Sequence, residues 1–124
     1  PGQNDQFVND AFIAKMKKDA ILINTARGEI QDNKAILAAL ERKHLSGFAT
    51  DVFSNETEFF QRRFMPWQTV PDPVVQKLIE LFPRVLVTPH VGSNTDEALS
   101  NMIETSYDNL NDMLTTDACI NEIM

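Results

Sequence analysis

Four side chains in this 124-residue sequence have the type and the setting to do chemistry: Arg27, Asp51, Glu56 and His90. Each follows closely on a short apolar run. Arg27 belongs to the stretch ILINTARGE (21–29), Asp51 and Glu56 to GFATDVFSNE (47–56), and His90 to VLVTPHVGS (85–93). A guanidinium presents a planar fork of donors that matches a carboxylate. An imidazole gives and takes protons near neutral pH, and a neighbouring carboxylate fixes its tautomer and favours its charged form. Together these groups form a kit for moving a proton during oxidation of a hydroxy acid. Each also has a plainer reading. Arg27 can be a solvated loop residue, Asp51 a strand-end cap, Glu56 and Glu58 loop charges, and His90 a hydrogen-bonded structural histidine.

The elements around these residues decide whether they can meet. Asn9 or Asp10 caps a predicted helix over Ala11–Lys18. The apolar run Ala20–Thr25 predicts a strand buried on both faces. Asp32 caps a second helix reaching about Arg42, with Ile36, Leu37 and Leu40 on its apolar face. Phe48–Val52 predicts a second strand, with Gly47 at its start and Asp51 at its carboxyl end. Residues 53–71 lack periodicity but carry Phe53, Phe59, Phe60, Phe64 and Trp67, so this loop is expected to pack rather than float. Asp72-Pro73 is a helix start, with Pro at the first helical position, and Pro83 is its stop. Val85–Thr88 predicts a third strand. Asn94 with Glu97 forms a capping-box-like start to a long helix over Thr95–Leu114. Strands alternating with helices predict a parallel sheet with right-handed crossovers. Ligands of such sheets bind beyond the carboxyl ends of the strands. Arg27, Asp51 with Glu56, and His90 lie at three such ends and are therefore expected to share one crevice.

Bulk properties narrow the partners. The formal net charge is −7, from 11 Lys and Arg against 18 Asp and Glu, which argues against nucleic acid and anionic membrane surfaces. No apolar run approaches the roughly 20 residues of a membrane span. A single cysteine, Cys119, excludes an internal disulfide framework and points to the cytoplasm. His44 at a helix end suits the helix dipole. A metal shared by His44 and His90 has neither supporting cysteines nor ligand spacing, so no metal is expected. Ser93 lacks a nucleophile-elbow setting. The chain opens Pro1-Gly2-Gln3-Asn4-Asp5 without an initiator Met, which suggests an interior stretch of a longer protein.

INTARGE, GFATDVFSNE and VLVTPHVGS, in that order, resemble the D-isomer-specific 2-hydroxyacid dehydrogenases, most of all their bacterial D-lactate dehydrogenase branch. The resemblance implies an α/β fold: half of a Rossmann-type doubly wound parallel sheet, followed by the long C-terminal helix. It divides the chain into residues 1–114, the second half of the NAD-binding domain with its interdomain helix, and a tail, 115–124. It implies that Arg27 binds the substrate carboxylate, that His90 is the proton donor and acceptor, and that Glu56 pairs with His90. It places Asn4, Thr25, Ala26, Arg27 and Asp51 on the nicotinamide side of NAD. The substrate would be a small 2-oxo or 2-hydroxy acid, pyruvate in the D-lactate branch; the alternatives are a hydroxyisocaproate or phosphoglycerate type of dehydrogenase, or a non-catalytic Rossmann-type binding module, and the stretch alone is expected to be inactive. Two departures stand out. Thr57 replaces the proline usual after the catalytic Glu, and Gly-x-Gly-x-x-Gly is missing from a sequence with only four glycines. The exposed edge of the first strand and the unpartnered long helix predict a homo-oligomer or self-association.

Overall fold

The computed structural model describes residues 4–60 and 69–116. The elements run α1 (Asp10–Ala14), β1 (Ala20–Asn24), α2 (Asn33–Glu41), β2 (Leu45–Thr50), α3 (Pro73–Glu80), β3 (Val85–Val87) and α4 (Asp96–Thr116), with 3-10 turns at Gly28–Ile30 and Glu56–Glu58. The chain divides into two units, 1–90 and 91–124.

The first unit is a three-stranded sheet in the order β1-β2-β3. Both pairings are parallel. Register and burial assign the two faces. Leu22, Phe48 and Val85 lie side by side, as do Asn24, Thr50 and Val87. This face packs on α2 and α3 around Ile36, Leu40, Val75 and Leu78, all of which are fully buried. Ile13 of α1 joins the same core beside α2. The other face carries Ile21, Ile23, Ala49 and Leu86. Ile21 is 64%, Ile23 66% and Leu86 50% exposed. The expectation that the first strand is buried on both faces is thus corrected. An apolar run reports what a strand can bury, not what lies against it.

Local signals explain the helix starts. Asp32 Oδ1 accepts the N–H groups of Lys34 and Ala35 at 3.1 and 3.2 Å. Asp72 Oδ1 accepts those of Val74 and Val75 at 2.8 and 3.2 Å. Each satisfies donors that the first helical turn leaves free. Asn9 is the cap of α1, but α1 ends at Ala14 instead of Lys18. The chain then turns through Asp19, whose φ is +65°, so Lys17 and Lys18 lie outside the helix. The second strand begins at Leu45 and ends at Thr50, so it runs through Gly47 instead of starting after it. A Cβ at Gly47 would sit 3.2 Å from the Arg84 carbonyl oxygen. Glycine therefore marks a close strand approach here, not a boundary.

The loop after β2 packs as its aromatics suggest, within the described part. Phe53 and Phe59 are buried, and their ring centroids are 5.4 Å apart. Phe59 and Phe60 meet edge-on at 4.9 Å. Phe64, Trp67 and Cys119 lie outside the described residues.

The described part of the second unit is α4 with the residues leading into it, and the helix runs to Thr116, past the expected end at Leu114. Thr95 caps it, in place of Asn94: the Ala98 N–H donates to Thr95 Oγ1 at 3.1 Å. Leu99, Ile103, Tyr107, Leu110 and Leu114 are all exposed along it.

Candidate active site

The site begins where β1 stops. Asn24 is buried, and its amide organises the following turn. Nδ2 donates to the Arg27 carbonyl at 2.9 Å and to Gln31 Oε1 at 2.7 Å, while Oδ1 accepts the Ala26 N–H at 2.9 Å. Gln31, also buried, accepts from Thr50 Oγ1 at 3.4 Å and donates to the Val52 carbonyl at 3.3 Å. Buried polar groups must find partners, and here they find each other across the ends of β1 and β2. The Thr25-Ala26-Arg27 turn is held by this network while all three residues stay exposed. The Arg27 guanidinium has no partner among the described residues, which leaves its donor fork available to an incoming anion.

Gly28 locks that turn to the next one. A Cβ there would stand 2.1 Å from the Phe53 carbonyl carbon and 2.3 Å from the Ser54 nitrogen. Only glycine lets the Arg27 turn lie against the backbone that leads to Glu56.

Glu56 is aimed by two contacts of its own and one of its neighbour. Its Oε2 accepts the Phe53 N–H at 3.2 Å. Its neighbour Asn55 donates through Nδ2 to Asp72 Oδ2 at 2.8 Å, so the residue that caps α3 also anchors the loop. Its Oε1 lies 2.5 Å from His90 Nδ1. The side chains of His90 and Glu56 are 45% and 24% exposed, so the pair is open to solvent. His90 itself follows Thr88-Pro89 with φ +55°, a left-handed conformation uncommon outside glycine and of the kind that clusters at functional positions.

Asp51 is buried immediately after β2. Its carboxylate Oδ1 accepts the Thr88 hydroxyl at 2.5 Å, and its N–H donates to the Asn24 carbonyl at 3.1 Å.

The structure therefore brings Glu56 and His90 into contact and sets Asp51 at the same sheet edge. Arg27 stands at the end of β1, two strands from the end of β3, a separation of about 10 Å at ordinary strand spacing. Asn4 is exposed in a turn in which its carbonyl accepts the Phe7 N–H at 3.1 Å. Its segment joins the same edge through Gln6, which donates to the Glu29 carbonyl at 2.7 Å, and through Val8, which pairs with Gln31. His44 is a tether: its Nε2 lies 3.0 Å from the Ile13 carbonyl oxygen. Sequence reasoning did not single out Asn24, Gln31, Thr50, Asn55 or Thr88. Isolated polar residues carry no periodic signal, although an Asn or Thr at the end of a buried strand is a usable hint.

The residues fit one end of a dinucleotide. A buried carboxylate beside an exposed backbone turn can accept the amide N–H of a nicotinamide. No glycine-rich turn for a pyrophosphate exists in the sequence. No group of three or more potential metal ligands occurs among the described residues, and no helix among them is long and apolar enough to cross a membrane.

Comparison with known proteins agrees with this geometry. Residues 2–92 match the family profile of the D-isomer specific 2-hydroxyacid dehydrogenase, NAD binding domain. The D-lactate dehydrogenase of Lactobacillus delbrueckii subsp. bulgaricus is 36% identical over 108 residues, 86% of this chain and 31% of that protein. Glyoxylate/hydroxypyruvate reductase B of Yersinia enterocolitica is 38% identical over 122 residues, 96% of this chain and 33% of that protein. A D-lactate dehydrogenase structure from a Sporolactobacillus species superposes with a TM-score of 0.88 at 32% identity, covering 99% of this chain and 36% of that one. The chain thus spans about a third of the length of these relatives.

Proposed function

We propose that this chain, which belongs to the D-isomer specific 2-hydroxyacid dehydrogenase family through its NAD-binding domain, carries the catalytic residues of a D-lactate dehydrogenase that interconverts pyruvate with NADH and D-lactate with NAD. The single observation that carries the reading is the contact of His90 Nδ1 with Glu56 Oε1. With Nδ1 engaged by a carboxylate, Nε2 is the nitrogen left to face a substrate oxygen.

Asp51 and the Thr25-Ala26 turn hold the nicotinamide end, with Asn4 nearby. NAD, when bound, supplies or accepts the hydride. The remaining work falls on the chain. Arg27 binds the substrate carboxylate through paired donors and polarises the adjacent carbonyl. His90 gives the proton from Nε2 to the carbonyl oxygen as the alcohol forms, and takes it back in the reverse direction. Glu56 fixes the ring orientation and stabilises the imidazolium. The full protein works in the cytoplasm as a homo-oligomer. Isolated, residues 1–124 turn over little or no substrate, because their sequence holds no glycine-rich turn whose amides could hold the pyrophosphate.

The choice of pyruvate rests on the similarity to D-lactate dehydrogenases. The test is NADH oxidation by the full-length protein with pyruvate, glyoxylate, hydroxypyruvate and 2-oxoisocaproate. The highest kcat/KM on pyruvate supports the reading. A clear preference for another of the acids moves the protein to another branch of the family, and no activity on any of them overturns it.

A further inference from the structure

We infer that Thr88 is a positioning residue for the nicotinamide side of the site, setting the Asp51 carboxylate through its hydroxyl and the His90 turn through its backbone. The inference rests on the proposed dehydrogenase reading, in which Asp51 meets the cofactor.

Three hydrogen bonds converge on Thr88. Its Oγ1 donates to Asp51 Oδ1 at 2.5 Å. Its N–H donates to the Thr50 carbonyl at 3.0 Å, which extends the pairing of β2 and β3 beyond the last strand residue. Its carbonyl accepts the His90 N–H at 3.1 Å. One residue therefore touches both the carboxylate assigned to the cofactor and the residue assigned to the proton. Asp51 is held from the other side as well, since its N–H donates to the Asn24 carbonyl at 3.1 Å. Its backbone is thus tied to β1 and its side chain to the extension of β3.

This arrangement restrains the carboxylate. A carboxylate on a single methylene rotates about two torsions. A charge-assisted bond to Oδ1, short as such bonds are, narrows that rotation. The nicotinamide carboxamide presents N–H donors that need an acceptor at a defined angle. The same strand extension carries His90, so the positions of the hydride and of the proton are referred to one backbone segment. Orientation of this kind is worth far more than the bond itself when reacting atoms must meet. A purely structural threonine would also satisfy a buried carboxylate, so the test must separate the two.

The experiment uses the full-length protein with Thr88→Val, which keeps the shape and removes the donor, and Thr88→Ser, which restores it. Binding of NADH and of ADP-ribose, which lacks the nicotinamide, is measured by titration, alongside KM for NADH and kcat. For Thr88→Val the expected result is NADH affinity weakened by roughly 10- to 100-fold, the range of one lost hydrogen bond to a charged group. ADP-ribose affinity stays within about twofold, and Thr88→Ser recovers most of the NADH affinity. NADH affinity unchanged in Thr88→Val overturns the inference. So does an equal loss for NADH and ADP-ribose, or a Thr88→Ser variant as impaired as Thr88→Val. If the unmodified full-length protein binds no NADH, the dehydrogenase reading itself fails, and the inference falls with it.

Discussion

His90 Nδ1 lies 2.5 Å from Glu56 Oε1 although 34 positions of chain separate the two residues. The contact exists because two loops that leave neighbouring parallel strands at the same end must pass one another. Glu56 reaches it from a 3-10 turn (Glu56–Glu58), anchored through Asn55 to the cap of α3. His90 reaches it from the end of β3 in a left-handed backbone conformation. In the full-length protein, His90→Ala is expected to lower kcat for pyruvate reduction by about 10²- to 10⁴-fold, the usual worth of a positioned acid–base group. Glu56→Gln keeps the shape but loses the charge, and should cost less. Steady-state NADH oxidation measures both. An unchanged rate for His90→Ala would remove it from the mechanism.

Arg27 is expected to behave as a fork, not as a charge. Arg27→Lys preserves the positive charge and loses the second, coplanar donor. The expected outcome is a fall in kcat/KM for pyruvate of roughly 10- to 100-fold, corresponding to one charged hydrogen bond. Kinetics with varied pyruvate at saturating NADH decide it. Equal turnover by the lysine variant would return Arg27 to the status of a surface charge.

Gly28→Ala probes how the two turns are joined. The added methyl would start 2.1 Å from the Phe53 carbonyl carbon, a backbone atom that cannot swing aside. Overpacking of this kind costs about 1–3 kcal/mol, and relief requires the Phe53–Glu56 segment to move. Stability by urea denaturation should fall by that amount, and kcat should fall with it because Glu56 is carried along. A variant with full stability and full activity contradicts the packing described.

Gln31→Leu tests the buried amide network. The Gln31 amide serves Asn24, Thr50, Asn33 and the Val52 carbonyl. Leucine leaves those groups buried without it, at about 1–3 kcal/mol for an unsatisfied group. Denaturant unfolding of the full-length protein should show the loss. Stability equal to the parent would mean that water takes over the network.

The exposed apolar surface predicts association of the 124-residue chain. Ile21 and Ile23 stand open on the outer face of β1, an edge strand, and α4 carries its own exposed apolar residues at Ile103, Leu110 and Leu114. Sedimentation should show self-association that Ile21→Lys with Ile23→Lys weakens, since charge on an edge strand opposes strand-to-strand growth. A concentration-independent monomer is the contrary result.

Much of this was legible in the sequence, for local reasons. Asp32 and Asp72 announce α2 and α3 because a cap is a property of a few consecutive residues. The three apolar runs announce three strands, and their polar ends announce a shared edge. What escaped was non-local. Gly47 reads as a boundary until the Arg84 carbonyl is seen beside it. The burial of β1 on both faces was inferred from composition, but Ile21 and Ile23 are exposed. The bonds of Asn24, Gln31 and Thr88 reach partners on other elements, and nothing in the spacing of single polar residues foretells them.

Arg84 works at the opposite end of the sheet from His90. Its guanidinium donates to the carbonyls of Leu40, Leu45 and Ser46 at 2.8, 3.1 and 3.3 Å, joining the end of α2 to the start of β2. The fold therefore fastens itself at one rim and gathers Glu56, His90 and Asp51 at the other, with the length of a strand between them. Two consequences follow for how such a domain can change. Substitutions around Arg84 can tune melting temperature while leaving the Glu56–His90 contact alone, and substitutions in the opposite loops can alter that contact without loosening the fastening. Sites far apart with no shared partners add their effects independently, so the two rims form separate dials for selection or for an engineer.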